Sequence, residues 1–203
     1  MIHFTDMTGL ASSAVAMAAA LFLLPGVARL PRPYLALLAG MAILVALIPF
    51  GGLPLAAYVR GITGDLSITS LILLALSILR PLFSLRRADI HSGFVLQVWI
   101  ALAAVVLYPM ALGLGLFDPY RWGYGNTWLM GMLLVMALAA CFRQFHAVAF
   151  CIALAVFAWS VGWYESNNLW DYLLDPWVSA YAIVALMKHG LRRSPEQRRS
   201  VSM

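Results

Sequence analysis

The sequence has few charged residues. Only 13 Lys and Arg and 8 Asp and Glu occur among 203 residues, so 10% of the chain is charged, whereas a soluble domain carries about 25%. So few charged side chains cannot cover a soluble fold in which 64% of the residues are hydrophobic. Soluble enzymes and nucleic-acid-binding modules are therefore excluded, and the mean hydropathy of +0.90 indicates a chain that is surrounded by lipid.

Cysteine is also scarce, and the N-terminal residues lack basic side chains. Cys141 and Cys151 are the only cysteines, and they form no Cys-x-x-Cys motif, which excludes a disulfide-stapled secreted domain and the common zinc frameworks. The first nine residues contain no Lys or Arg, although a signal peptide carries such residues before its apolar run. We therefore expect the first apolar segment to be retained as part of the fold.

Long apolar runs are what the sequence has in abundance. A helix needs roughly 17–25 such residues to cross the hydrocarbon layer, and backbone amides in lipid must be paired within the helix. Reading between charges, prolines and glycines gives seven segments, at residues 10–28, 34–50, 68–83, 93–117, 127–142, 145–163 and 173–187. The sequence thus predicts an all-α, polytopic integral membrane bundle of about seven transmembrane helices, with a tight turn at Arg143 and Gln144 between the fifth and the sixth.

The distribution of charge gives the orientation of these segments. If the connections alternate across the bilayer, eleven of the 13 basic residues fall on one side, and only Arg60 and Arg121 fall on the other side with six of the eight acids. Basic loops stay in the cytoplasm, so the N-terminus is expected outside and the C-terminus in the cytoplasm. We predict one transmembrane domain over residues 1–190 and a short basic tail over 191–203, too polar to fold alone, in the multi-pass architecture of a bacterial inner-membrane protein.

The first external connection, residues 51–67, is rich in glycine yet fairly apolar. Its four glycines and its proline argue against a plain helix, and irregular backbone at membrane depth must be covered by protein. We therefore expect this loop, which includes Tyr58, to pack back against the bundle. Thr63 or Asp65 is expected to cap the third span, and Arg60 lies close enough in sequence to form an ion pair with Asp65.

The second external connection contains a turn, a cap and a basic residue between aromatic rings. Asp118 precedes a proline and is expected to start a turn, while Asn126 or Thr127 is expected to cap the fifth span. Arg121, which directly precedes Trp122, is suited to bind a phosphate with support from the indole ring.

The third external connection carries a cluster of acids. Asp171 and Asp175 are four residues apart and would share one face of a helix; together with Glu165 they could hold a cation or act as an acid–base pair. The alternative is that Asp175 caps the last span and the other acids are solvated. Asn168 and Trp170 lie in the same connection and add an amide and an indole to it.

The external side as a whole is the better candidate for a binding face. Five of the seven tryptophans lie there, whereas a symmetric aromatic belt would use both interfaces. An aromatic-walled, polar-floored crevice at this face would receive a lipid headgroup, a sugar or a segment of a partner protein. The residues predicted to form it are Tyr58, Arg60, Asp65, Asp118, Arg121, Trp122, Glu165, Asn168, Trp170, Asp171 and Asp175.

Three functions are compatible with this face. The sequence shows no nucleotide-binding motif, no complete metal site and no nucleophile–base pair, so we predict no cofactor and favour a non-catalytic component of envelope assembly or of a larger membrane complex. Its expected partners are membrane lipids, including a lipid-linked intermediate, or a membrane protein. The first alternative is an intramembrane enzyme that acts on a lipid-linked phosphate or glycan through Asp65, Asp171 and Asp175. The second is a small-solute transporter, which the scarcity of charge within the spans disfavours.

Overall fold

The computed structural model describes residues 4–85 and 90–200, and it is all-helical, with a helix content of 77%. The α-helices of the described part are Phe4–Phe22 (α1), Arg32–Leu47 (α2), Leu55–Thr63 (α3), Ile68–Phe83 (α4), Ile90–Ala111 (α5), Thr127–Phe142 (α6), His146–Ser160 (α7), Leu169–Leu173 (α8) and Pro176–Ser200 (α9). Two short strands, Pro49–Phe50 (β1) and Leu53–Pro54 (β2), pair antiparallel, and 3₁₀ turns cover Val27–Arg29 and Pro119–Gly123. The all-α prediction is confirmed.

Each of the seven predicted segments contains a helix, but the helices differ in length. In the described part of the chain, two are long and apolar enough to cross a membrane, at Thr5–Phe22 and His91–Ala111. Four further apolar helices, α2, α4, α6 and α7, have only 15 or 16 residues, about 24 Å against a hydrocarbon layer of about 30 Å. The predicted segments 68–83 and 127–142 coincide with α4 and α6. The segments 34–50 and 145–163 were longer than α2 and α7, because apolar residues continue beyond the ends of those two helices.

The described residues belong to two compact units. One comprises Met1–Arg87 and Cys151–Leu173, and the other comprises Ala88–Phe150 and Leu174–Met203. We call them the first and the second unit. The boundaries between them fall inside α7 and between α8 and α9.

Helix α1 is the centre of the first unit. It packs against α2, α3 and α4, and its contact face is made of small residues, with Ala14, Ala18 and Ala19 at most 1% exposed. Small side chains allow neighbouring helices to approach closely, which is the usual basis of packing between helices in lipid. Leu35 of α2 and Ile78 of α4 complete this core.

The glycine-rich connection of the first unit is partly helical, which the sequence did not predict. The glycines and the proline mark the ends of elements instead: Gly51 and Gly52 turn the β1–β2 hairpin, Pro54 precedes α3, and Gly64 ends α3 with a φ of +70°. Between them α3 forms and buries Ala56 completely against α1. The expectation that this connection packs back against the helices is confirmed.

The second unit is built on α5 and α9, which pack against each other. Ile100 and Leu107 of α5 and Ala182 of α9 are buried, and the amide of Gln97 lies 3.4 Å from the hydroxyl of Tyr181. The 3₁₀ turn Pro119–Gly123 packs against both α5 and α6. This turn therefore holds the connection between α5 and α6 in a fixed position on both helices.

The turn between α6 and α7 confirms the prediction of a tight reversal. Gln144 adopts a left-handed conformation with a φ of +61°, the amide of Phe145 donates to the carbonyl of Ala140 at 2.7 Å, and the amide of Gln144 donates to Cys141 at 3.1 Å. These two bonds satisfy carbonyls that a helix end leaves without partners. Glutamine is rare in this conformation, and its side chain compensates by bonding to His146 at 2.9 Å.

Polar side chains cap several helix starts. Asn126 accepts the amide of Trp128 at the start of α6, so that prediction is confirmed. The cap predicted for the third span is wrong: Ser67, not Thr63 or Asp65, caps α4 by accepting the amide of Ser70. Thr63 is still part of α3, where its hydroxyl bonds to a carbonyl one turn earlier.

The expectation that Asp171 and Asp175 share one helix face is also wrong. Asp171 lies in α8, which ends at Leu173, whereas Asp175 precedes α9 and accepts the amides of Trp177 and Val178 at 2.8 and 2.9 Å. The cause is Pro176, because a proline disfavours helical backbone in the residue before it and is well suited to begin a helix. The alternative prediction, that Asp175 is a cap, is confirmed.

The residues of the predicted basic tail continue the last helix. Helix α9 extends through Ser200. The tail extends an existing helix, and adding residues to a helix avoids the cost of nucleation; arginine, glutamate and glutamine are also good helix formers. The last three residues of the predicted tail lie outside the described residues.

Candidate functional site

The predicted binding-face residues fall into two groups, one in each unit. The first unit contains Tyr58, Arg60, Asp65, Glu165, Asn168, Trp170 and Asp171, and the second contains Asp118, Arg121, Trp122 and Asp175.

In the first unit, three carboxylates surround the guanidinium of Arg60. Asp65 binds it with two hydrogen bonds, from Nε at 2.6 Å and from Nη2 at 3.0 Å, so the predicted ion pair is confirmed. Asp6 lies 3.6 Å from Nη1 and Glu165 lies 3.8 Å from Nη2. We call these four residues the Arg60 cluster. The Arg60 side chain is 19% exposed and that of Asp65 is 26% exposed, so the pair is largely shielded from water.

The hydrogen bonds that Arg60 donates to Asp65 raise the pKa of Arg60 above its ordinary value, and the charges of Asp65, Glu165 and Asp6 act in the same direction against desolvation. The pKa is raised because every carboxylate around the guanidinium favours its charged form. Arg60 therefore stays charged at any physiological pH.

Helix α1 supplies two residues of this arrangement that the sequence did not single out. Asp6 contributes a carboxylate, and Gly9 leaves room for the guanidinium to lie across the helix. A Cβ atom on Gly9 would come within 2.5 Å of both Cζ and Nε of Arg60. Gly9 is therefore required by a close approach and not by its backbone conformation.

The remaining first-unit residues of the predicted face support the fold locally. The hydroxyl of Tyr58 donates to the carbonyl of Phe50 at 2.8 Å and closes the β1–β2 hairpin. Asn168 is fully buried and accepts the amide of Trp170 at 3.0 Å, and Trp170 itself is only 8% exposed. Asp171 accepts a hydrogen bond from Ser166. Asn168 and Trp170 thus lie in the interior of this unit and not on its surface, because the connection folds inward before α8.

A buried tyrosine, Tyr172, holds this connection in place, and the sequence did not single it out. Tyr172 is fully buried, and its hydroxyl accepts the amide of Tyr164 at 3.0 Å and lies 3.0 Å from the carbonyl of Ser166. The hydroxyl of Tyr164 lies 3.1 Å from that of Ser12 on α1, and Thr8 donates to the carbonyl of Trp163. Hydroxyl groups of α1 therefore fix the loop that carries Glu165.

These contacts define what the first unit can do chemically. Each of its carboxylates has a charged or hydrogen-bonding partner within the fold, and in the described part of the chain no group of three or more His, Cys, Asp or Glu side chains is arranged to hold a metal ion. The Arg60 cluster joins α1, α3 and the connection before α8. Its geometry indicates that it stabilises the packing of these three segments.

In the second unit, the predicted residues line an open cavity of about 450 Å³. Its lining consists of Leu116, Phe117, Asp118, Arg121, Trp122 and Asn126, and it therefore contains three of the four second-unit residues of the predicted face. The fourth, Asp175, is 5% exposed and serves as the cap of α9. A volume of this size lies within the range of small-ligand sites.

The polar side chains of this cavity differ in whether they have hydrogen-bond or ion-pair partners within the described part of the protein. Asp118 accepts the amide of Tyr120 at 3.0 Å, and Asn126 accepts the amide of Trp128 at 2.8 Å through its side-chain oxygen. Arg121 is exposed, and among the described residues no carboxylate lies within ion-pair distance of it. The cavity thus presents a guanidinium with all of its donors available.

An apolar segment leads into the cavity. Leu112 and Leu114 are each 80% exposed and Leu116 is fully exposed, although three leucines in five residues would be costly to leave in water. Phe117 packs edge-on against Trp122, with ring centroids 5.1 Å apart. The cavity is therefore bordered by side chains that are stable next to lipid.

Comparisons with known proteins give no further assignment. No protein-family model matches the chain, and no curated protein and no solved structure is significantly similar to it. The function must therefore be argued from the residues of the two units themselves.

Proposed function

We propose that this chain is a multi-pass protein of the bacterial inner membrane in which all seven long helices cross the bilayer, with the N-terminus outside. The sorting of basic and acidic residues between the two sides supports this topology. So does the surface of the shorter helices: α6 exposes Trp128, Met132, Leu134, Val135, Leu138 and Phe142. An apolar surface of this extent is stable in lipid and not in water. The apolar residues that flank the short helices would complete the crossing, and local thinning of the bilayer costs little.

We further propose that the protein is a non-catalytic membrane component that binds a phospholipid or a lipid-linked intermediate at its external face. The observation that carries this proposal is the guanidinium of Arg121, which has no ion pair among the described residues and lines a cavity next to exposed leucines. Arginine presents a planar fork of donors that matches phosphate, and the leucines offer a surface for an acyl or prenyl chain.

The contacts of the three carboxylates named in the enzymatic alternative favour binding over catalysis. An enzyme that used Asp65, Asp171 and Asp175 would need carboxylates free to take up a proton or a metal ion. Asp65 is bound twice by Arg60, Asp171 by Ser166, and Asp175 by two backbone amides. These partners hold the three groups in structural roles.

The proposal predicts that lipid retention depends on Arg121. Purified wild-type protein in mild detergent should carry bound phospholipid, and Arg121→Gln should lower the occupancy about tenfold at equal lipid concentration, because a charge-assisted hydrogen bond to phosphate is lost. Native mass spectrometry of the full chain measures the occupancy directly.

The matched control is Arg143→Gln, which removes an exposed arginine from the α6–α7 turn of the same unit. It should leave the occupancy unchanged. Equal lipid occupancy in wild type and Arg121→Gln, or equal losses in the two variants, would contradict the proposed site.

A further inference from the structure

The cavity of the second unit contains side chains of both signs. Asp118 and Arg121 both line it, yet they form no ion pair with each other among the described contacts. The 3₁₀ turn directs the side chain of Asp118 to cap the turn and leaves that of Arg121 exposed. The cavity therefore offers separate positions for an anionic and a cationic group.

We infer that the ligand is a zwitterionic phospholipid whose headgroup carries a phosphate and a primary ammonium, as in a phosphoethanolamine lipid. The inference rests on the proposed function and names the class of lipid. Arg121 would bind the phosphate through two of its donors, and the carboxylate of Asp118 would accept from the ammonium. The indole of Trp122 borders the same cavity and stabilises a cation placed over its face.

Asp118 also supplies discrimination against other lipids. A headgroup with a phosphate but no cation would place its negative charge near the carboxylate of Asp118 with no cation between them. Such like-charge contacts lower the affinity for the wrong ligand. The neighbouring apolar residues add a second filter: Leu114 and Leu116 offer surface to an acyl chain and nothing to a free headgroup. The geometry therefore favours an intact zwitterionic lipid over an acidic lipid and over the soluble headgroup.

Two substitutions separate charge from structure in this cavity. Asp118→Asn removes the charge while keeping an oxygen that accepts the amide of Tyr120, because asparagine caps as well as aspartate does. Arg121→Gln removes the opposite charge from a side chain that no other described residue binds. The matched control for the carboxylate is Glu165→Gln, because Glu165 is exposed and lies in the first unit.

The test is a native mass-spectrometric titration of the detergent-solubilised full chain with two short-chain lipids of identical acyl length, a phosphatidylethanolamine and a phosphatidylglycerol. Free phosphoethanolamine and inorganic phosphate are titrated in parallel. We expect wild-type protein to bind the ethanolamine lipid about tenfold more tightly than the glycerol lipid, and Asp118→Asn to remove this preference. Arg121→Gln should weaken both lipids about tenfold, and Glu165→Gln should change neither.

Each contrary outcome overturns a different statement. Equal binding of the two lipids by wild type, or an unchanged preference in Asp118→Asn, would overturn the zwitterionic ligand while leaving the proposed lipid site intact. Free phosphoethanolamine binding as tightly as the lipid would overturn the choice of an intact lipid. Binding of inorganic phosphate with equal strength would reduce the cavity to a simple anion site, and binding of neither lipid would overturn the proposed function itself.

Discussion

Replacing Arg60 with methionine should lower the free energy of unfolding by about 2–3 kcal/mol, because removing one partner of a shielded, charge-assisted pair leaves the other without compensation. Three carboxylates would then remain close together, with only Glu165 of the three well exposed to water. For a chain of this length the loss corresponds to a fall in Tm of roughly 4–12 °C. Thermal unfolding of the purified protein in detergent measures it.

Two further variants test whether this loss of stability comes from the two hydrogen bonds between Arg60 and Asp65. Arg60→Lys keeps the charge and loses the two-pronged contact with Asp65, so it should cost about half as much. The double variant Arg60→Met with Asp65→Leu should cost clearly less than the sum of its single variants, because the two side chains share one interaction. If the stability losses of the two single variants simply add in the double variant, the interaction between Arg60 and Asp65 contributes nothing to stability.

Gly9→Ala tests the same contact from the side of α1. Alanine is the better helix former by about 1 kcal/mol, yet its Cβ would lie within 2.5 Å of the Arg60 guanidinium and displace it from Asp65. We expect Gly9→Ala to destabilise the wild-type protein and to stabilise the Arg60→Met variant. The control is Gly40→Ala in α2, where a Cβ meets nothing within 4 Å. A loss of equal size in both backgrounds would contradict the proposed contact.

Replacing Tyr172 with alanine should cost about 3–5 kcal/mol, the range for deleting a large buried aromatic side chain. Tyr172 is fully buried and packs against Tyr164, with ring centroids 5.3 Å apart. Tyr172→Phe keeps the ring and removes the hydroxyl that accepts the Tyr164 amide, so it should cost about 1–3 kcal/mol. Equal stability of Tyr172→Phe and wild type would contradict the role of the hydroxyl.

The same residue gives a pH dependence with a defined sign. Burial raises the pKa of Tyr172 above its ordinary value of 10.0, and the charges of Asp171 and Asp65 raise it further. A raised pKa means that the folded state holds the proton more tightly than the unfolded state. The contribution to stability is therefore complete below pH 10 and is lost as the pH rises through the raised value. The Tyr172→Phe variant should therefore lose less folding stability than wild type as the pH rises through this range.

Local signals in the sequence were sufficient for several features of the fold. The Arg60–Asp65 pair spans five residues and needed only a turn between them, and Asn126 and Asp175 stand directly before apolar runs, where caps are expected. The tight turn at Gln144 followed from the lengths of the apolar runs on each side. In each case the interacting groups are neighbours in the chain.

Features that depend on contacts between distant segments could not be predicted in this way. Asp6 and Gly9 meet Arg60 across more than fifty residues, and nothing in the local pattern of α1 marks them. Tyr172 and Trp170 were not distinguished from interfacial aromatic residues, although both are buried. Tyr172 bonds to the loop before α8, and hydroxyl groups of α1 bond to Trp163 and Tyr164 of the same loop, a pairing that appears only once the chain is folded.

The polar face predicted from the sequence also combined two kinds of residue that the fold separates. Carboxylates and arginines look alike in a sequence whether they bind each other or a ligand. Arg60 has three carboxylates around it, whereas Arg121 has none among the described residues. This difference in pairing, and not residue type or position in the chain, is the reason why we propose a binding role for the second arginine and not for the first.

The most direct test of the proposed membrane topology is labelling of single cysteines by a membrane-impermeant maleimide in intact and in permeabilised cells. The background is Cys141→Ser with Cys151→Ala, which removes both native thiols. One cysteine at a time replaces an exposed residue in successive connections, at positions Leu30, Ile62, Leu85, Leu116, Arg143 and Asn167.

Seven crossings with an external N-terminus predict an alternating result. Cysteines at positions 62, 116 and 167 should be labelled in intact cells, whereas those at positions 30, 85 and 143 should be labelled only after permeabilisation. Two successive positions that report the same side of the membrane would remove a crossing between them. Labelling of position 116 from the cytoplasmic side would take the Arg121 cavity off the external face and contradict the proposed site.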